Sequence, residues 1–164
     1  MSLTLRVATP DDVGAIHGLM RELAVFEKLL DIFEATPSSV HEALFGAKPA
    51  AECLMADWEG QAVGYALYFH NFSTFLGRRG LYLEDVYVQP SMRGKGVGQA
   101  LMRKLAGIAV ERGCGRFEWT VLDWNQPAID FYTSQGATVL PDWRVVRMAG
   151  EALDQFARGG SEPR

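Results

Sequence analysis

The chain has 164 residues, 48% of them apolar and 22% charged, with a formal net charge of −4. This is enough for one compact domain, and the balance excludes disordered, collagen-like and coiled-coil chains and argues against a general nucleic-acid binder, which needs a positive excess. Apolar stretches are short and broken by charges, so none spans a bilayer, and Met1-Ser2-Leu3-Thr4-Leu5-Arg6 lacks a signal peptide's basic start and apolar run; the expected location is the cytosol.

Leu3, Leu5 and Val7 alternate with Thr4 and Arg6, the period of a strand. Thr9-Pro10-Asp11-Asp12 reads as a helix start, with Thr9 as cap, Pro10 in the first turn and two aspartates at the positive helix end. Val13, Ile16, Met20, Leu23 and Phe26 recur every three to four residues and mark its buried face. Thr36-Pro37-Ser38-Ser39 opens a second, shorter helix through Phe45. Strands are predicted over 52–56 and 63–69, joined by a tight connection at 57–61, and residues 71–80 read as a loop. Leu81, Leu83, Val86 and Val88 make 81–88 the best strand candidate, ended by Gln89-Pro90-Ser91. A glycine-rich loop at 94–98 precedes an amphipathic helix over 97–112 that stops at Gly113 and Gly115. Further elements are a strand over 117–122, a helix capped by Asn125 and running through Tyr132 to near Gly136, a last strand over 144–148 and a short helix around 151–157. The fold class is mixed α/β: one domain over 1–158, with a central sheet flanked by helices and a disordered tail over 159–164.

Cys53 and Cys114 are far apart and read as reduced thiols, while His17, His41 and His70 have no metal-ligand spacing; no metal is expected. Arg78, Arg79, Arg93, Lys95, Arg103 and Lys104 cluster in an otherwise acidic chain, either as a solvated surface or as local attraction for a polyanion.

Strand 81–88, its turn, the glycine loop and the following helix form one unit suited to a diphosphate. A helix start offers unpaired N–H groups and a positive dipole end, and glycines let an anion approach the backbone. The nucleotide-triphosphate loop G-x-x-x-x-G-K-[ST] is absent. The dinucleotide fingerprint G-x-G-x-x-G fails because Gln99 stands where its third glycine belongs, although Glu118 sits at the distance of that fingerprint's ribose-binding acid. A purely structural glycine turn is the bland alternative.

Arg93-x-x-Gly96-x-Gly98, after a strand and opening a helix, resembles the coenzyme A signature of the GNAT acetyltransferase superfamily. Asn125-Gln126-Pro127-Ala128 through Phe131-Tyr132 to Gly136-Ala137 resembles a second element of that family. Tyr82-Leu83-Glu84-Asp85-Val86, Arg93-Gly94-Lys95-Gly96-Val97-Gly98, Val121-Leu122-Asp123-Trp124-Asn125 and Glu22-Leu23-Ala24-x-Phe26-Glu27 are similar to the diamine acetyltransferases, which include spermidine/spermine and thialysine Nε-acetyltransferases. Asp123-Trp124-Asn125-Gln126 and Gly150-Glu151-Ala152-Leu153 look more like the thialysine branch.

The resemblance implies acetyl-CoA as co-substrate, a small-molecule amine as acceptor, a sheet splayed at the cofactor site, and a homodimer packed through the C-terminal region. By resemblance, Val86, Tyr87 and Val88 pair with the pantetheine arm, Arg93, Gly94, Lys95, Gly96, Val97, Gly98 and Gln99 hold the diphosphate, and Asn125, Pro127 and Ala128 line the other side. Tyr132 would protonate the departing sulfur and Glu84 would act as base, directly or through water. Neighbouring carboxylates on a regular strand point to opposite faces, so Glu84 and Asp85 are not expected to serve one point equally; flanking Leu83 and Val86 imply that at least one is partly buried. The resemblance also implies Glu27 and Asp142 as substrate-side carboxylates, with Phe26 and Trp143 against the substrate's methylenes; a surface glutamate at 27 and core aromatics at 26 and 143 are the bland alternatives. Phe26 replaces the tyrosine usual in polyamine enzymes, and the segment 139–143 is shorter and keeps only Asp142, so a thialysine- or lysine-like amine is expected before a short diamine. A protein or peptide acetyltransferase and a silent acyl-CoA sensor are the competing readings.

Overall fold

A computed structural model describes residues 2–159. They divide into two compact units, the first ending at Thr120 and the second beginning at Val121.

The first unit holds β1 (Leu3–Val7), α1 (Val13–Phe26), α2 (Pro37–Phe45), β2 (Glu52–Trp58), β3 (Gln61–Ser73), β4 (Arg78–Val88), α3 (Val97–Glu111) and β5 (Phe117–Trp119). The strands lie in sequence order, antiparallel from β1 to β4, with β5 parallel to β4. Alternation along each strand builds two cores. On one face Leu54, Ala56, Ala66, Tyr68, Leu81 and Leu83 pack with Val97, Leu101 and Leu105 of α3. On the other, Cys53, Met55, Tyr65 and Tyr87 pack with Val13, Ile16 and Leu19 of α1 and Val40 and Leu44 of α2. Each fully buried leucine contributes about 1.5–3 kcal/mol through area removed from water.

The helix starts follow the sequence signals with one change. Pro10–Asp12 forms a 3-10 turn ahead of α1, and the Asp12 carboxylate accepts from the Thr9 N–H at 2.7 Å and from Arg6 at 2.7 Å. Thr9 stands at the N-cap position, and its N–H bond to the Asp12 carboxylate belongs to a capping box at this start. On α1 the buried positions are Val13, Ile16 and Leu19, while Phe26, placed on the buried face by its spacing, is 40% exposed. It is the last residue of the helix, and the Arg93 guanidinium stacks on its ring at 4.8 Å.

Residues 71–80 are not a loop. β3 and β4 pair out to Ser73↔Arg78, leaving only 74–77 as the connection, closed by the Gly77 N–H on the Ser73 carbonyl at 2.9 Å. Ladder pairing outweighs the weak strand propensity of Asn71 and Gly80. β5 is shorter than its predicted 117–122: its ladder with β4 runs only from Leu81↔Phe117 to Leu83↔Trp119.

The second unit holds α4 (Gln126–Ser134) and α5 (Gly150–Ala157). Asn125 stands at the N-cap position of α4 but makes no side-chain capping bond. The strand predicted over 144–148 does not form. These residues are exposed and pair with no strand among the described residues, and a strand without a ladder leaves its backbone groups to water. Of the tail expected to be disordered, Gly159 lies in a turn and 160–164 fall outside the described residues.

Candidate active site

β4 carries the site. Past Leu83 it has left β5, so Glu84–Val88 extend the strand with their outer edge clear of that neighbour. The chain then passes a 3-10 turn at Pro90–Met92 and enters α3 through Arg93-Gly94-Lys95-Gly96. Gly94 and Gly96 have φ of 78° and 81°, the left-handed region where a side chain is strained. A Cβ at either would meet no heavy atom within 4 Å, so open space lies over the loop. Gly96 is the N-cap of α3 and supplies no side-chain cap. The first-turn amides thus face an open surface at the positive end of a 15-residue helix, which fits an anionic diphosphate.

The two cations beside this cradle are held by aromatic rings. Arg93 lies over Phe26 and donates Nε–H to the Val88 carbonyl at 3.4 Å; the Lys95 Nζ stands 5.3 Å from the Trp58 ring centre. Next to Arg93 a cleft of about 340 Å³ is lined by Gly18, Arg21, Glu22, Phe26, Tyr87 and Pro90 among others. Within it the Tyr87 hydroxyl donates to Glu22 Oε1 at 3.3 Å and the Gln89 amide donates to Glu22 Oε2 at 3.2 Å. Arg21 and the side-chain role of Tyr87 carry no sequence signal beyond helical and strand period.

The expectation that Glu84 and Asp85 face opposite ways is overturned. Leu67 pairs with Asp85 and the next residue, Tyr68, pairs with Leu83, so Glu84 is an extra residue, a β-bulge. Alternation slips there: Leu83 and Val86 pack on the α3 face although three apart, and Tyr87 packs on the α1 face. Asp85 lies with Tyr87 on the α1 face, where the Tyr65 hydroxyl donates to its Oδ2 at 3.0 Å. By the same parity Glu84 falls on that face as well.

Three carboxylates therefore share one electrostatic neighbourhood. Burial pushes Asp85 up to about 6; the Tyr65 hydrogen bond opposes this, and the charges of Glu84 and Glu27 add to it. Glu27, at the end of α1, is also raised, by desolvation first and Glu84 second. A carboxylate at a helix C-terminus faces the negative dipole end, an arrangement that costs stability.

In the second unit, Pro127 and Ala128 lie in the first turn of α4 and Tyr132 in its second half, its ring edge-on to Phe131 at 5.8 Å. Desolvation raises the Tyr132 hydroxyl above its usual range. Asp142 is exposed and Trp143 is 78% exposed. Among the described residues no group of three or more His, Cys, Asp or Glu is placed to hold a metal ion.

A strand ending in an uncapped glycine cradle, with carboxylates at a bulge a few residues earlier, sets a surface suited to an anion close to one suited to a cation. Residues 19–137 match the acetyltransferase (GNAT) family, and the chain belongs to that family. It is 39% identical to a thialysine Nε-acetyltransferase of Sus scrofa, over 95% of this chain and 98% of that protein. It is 33% identical to an L-ornithine N5-acetyltransferase of Arabidopsis thaliana, over 91% of this chain and 85% of that protein. Among solved structures, an integron cassette protein from the mobile metagenome of V. cholerae superposes with a TM-score of 0.81 at 26% identity, covering 96% and 99% of the two chains.

Proposed function

We propose that this protein transfers an acetyl group from acetyl-CoA to the primary amine of a small cationic molecule, with a thialysine-, lysine- or ornithine-like amine ahead of a short diamine. The observation that carries this reading is the juxtaposition on β4 of an anion cradle at its end and a carboxylate cluster at its bulge. The relatives with thialysine and ornithine activities support the amine class.

Acetyl-CoA supplies an acyl group already activated as a thioester. The amides of Gly94–Gln99 hold its diphosphate in this reading, aided by Arg93 and Lys95, and the Val86–Val88 backbone takes its arm where β5 has ended. Asn125, Pro127 and Ala128 are proposed to line the arm as well. Glu27, Glu84 and Asp85 attract the ammonium and accept its proton, since only the neutral amine is nucleophilic. Glu84 is the base that the family resemblance implies. Phe26, Asp142 and Trp143 are proposed substrate contacts. The Tyr132 hydroxyl, kept protonated by burial, is the proposed proton donor to the leaving sulfur.

Residues 1–158 are proposed to act as one catalytic domain, in the cytosol; no helix among the described residues is long and apolar enough to cross a membrane. A homodimer is also proposed. The packing through the C-terminal region that the family resemblance implies supports it.

An amine panel with acetyl-CoA, read as free thiol release, tests the reading. Turnover of thialysine or ornithine is expected. Turnover of peptides alone, or of nothing, contradicts it.

A further inference from the structure

We propose that the cleft beside α1 reads the α-amino-acid end of the acceptor, Arg21 taking its α-carboxylate and Glu22 its α-ammonium, while the side-chain amine reaches the carboxylates at the bulge; this rests on the acetyl-transfer reading above. Gly18, Arg21, Glu22 and Val25 fall on one stripe of α1, three to four residues apart, and line the cleft opposite Tyr87. Arg21 and Glu22 therefore set a cation and an anion side by side at its wall. Glu22 is held in place by the Tyr87 hydroxyl and the Gln89 amide, one on each oxygen, and each oxygen keeps a lone pair for a further donor. Arg21 is exposed and makes no ion pair or side-chain hydrogen bond among the described residues, so its planar fork of N–H donors is open to a carboxylate. Arg93, also at the cleft, is stacked on Phe26 and bonded to the Val88 carbonyl.

Spacing favours an amino acid over a plain diamine. α1 and β4 meet at two levels: Glu22 bonds to Tyr87, and the charge of Glu27 acts on Asp85. From Glu22 to Glu27 the helix rises about 7.5 Å. From Tyr87 to Asp85 the strand advances about 7 Å. Cleft and carboxylates thus stand at one spacing on both elements. A lysine side chain, with five bonds of about 1.5 Å in zigzag from Cα to Nζ, spans about 6 Å and bridges them. Phe26 lies between Glu22 and Glu27 on α1 and lines the cleft, an apolar surface for the methylenes on the way. A diamine of this length brings a second ammonium beside Arg21, where like charges repel, and leaves the guanidinium without an anion. An α-amino acid matches both charges.

The test is kcat/KM for thialysine against bis(2-aminoethyl) sulfide, the same chain without its carboxylate, in the wild type, Arg21→Gln and Arg21→Glu, with acetyl-CoA affinity followed by calorimetry. Glutamine and glutamate keep the helix propensity of this exposed position, so both variants should fold. The wild type is expected to prefer thialysine by about 10-fold or more. Arg21→Gln lowers kcat/KM for thialysine by about 10-fold, through KM rather than kcat, and raises it for the diamine because a like charge has left the cleft. Arg21→Glu carries both changes further and reverses the preference. The analogue 3-(2-aminoethylthio)propanoate keeps the carboxylate and lacks the α-ammonium; it should fall below thialysine in the wild type, and equality removes Glu22 from the site. A wild type indifferent to the carboxylate, or variants that lose activity equally toward both amines, overturn the inference and leave acetyl transfer standing. A fall in acetyl-CoA affinity in Arg21→Gln gives the side chain to the cofactor and overturns it as well. A wild type inert toward every amine overturns the acetyl-transfer reading and this inference with it.

Discussion

Replacing Asp85 by Asn is expected to stabilise the protein, and to do so more strongly as pH rises. A carboxyl group whose titration is raised on folding from 3.8 to about 6 favours the fold fully below 3.8, and that contribution is lost as pH rises through 6. Relative to the protonated group, the ionised carboxylate costs the fold about 3 kcal/mol at pH 8 and about half that at pH 5. Asparagine does not titrate, and its side-chain oxygen can still accept from Tyr65. The stability gap between variant and wild type should therefore widen by about 1–2 kcal/mol between pH 5 and pH 8, or roughly 3–6 °C in Tm for a chain of this size. Urea unfolding of both proteins at the two pH values measures it. A gap that stays constant across that range, or narrows toward pH 8, refutes the claim that Asp85 is ionised at a desolvated position. A stabilising but inactivating change is the signature of a residue kept for chemistry at the expense of the fold.

Tyr132→Phe should lower kcat by about 10²-fold with little change in acetyl-CoA affinity, checked by steady-state kinetics beside calorimetry; an equally active variant removes the hydroxyl from the mechanism. Arg112→Leu breaks the bidentate pair with Glu52, at 2.7 and 2.9 Å, and the bond to His70 at 2.9 Å. The pair is partly solvated, so the expected loss is about 1 kcal/mol in urea unfolding with kcat unchanged, because this network lies at the end of α3 away from the cradle. Leu101→Ala, in the core under α3, should cost about 2–5 kcal/mol in the same assay, and a smaller loss would mean the helix is loosely packed there.

The elements most legible in the sequence were those in which several local signals coincide. α2 begins at Pro37 because Thr36 and Ser39 cap each other, and α3 begins where glycines at positive φ deliver the chain to an apolar period. Element order up to β5 was readable for the same reason. The hairpin was not, because His70–Arg78 is held by pairing across strands, which local composition does not encode. The reverse error occurred at 144–148, where Val145, Val146 and Met148 have strand propensity but no ladder among the described residues.

At the site, the backbone of the glycine loop was legible because glycine spacing records where the chain takes positive φ, as it does at Gly94 and Gly96. The carboxylate geometry was misjudged by assuming unbroken alternation. Its signal was present: Leu81 and Leu83 are in phase with each other, as are Val86 and Val88, but the two pairs are out of phase, and a one-residue slip between them requires a bulge at 84–85. Tyr65 left no such trace, since a tyrosine in a strand reads as core until its hydroxyl is seen to meet Asp85.

The most direct test of the account is calorimetric titration of acetyl-CoA into the wild type and Gly96→Asp. The substituted side chain enters open space, so the variant should fold, with some strain from the left-handed backbone, while placing a negative charge where the diphosphate must sit. Saturable one-to-one binding by the wild type and none by the variant is the predicted result. Equal affinity in the two proteins would contradict the claim that the amides opening α3 grip the coenzyme.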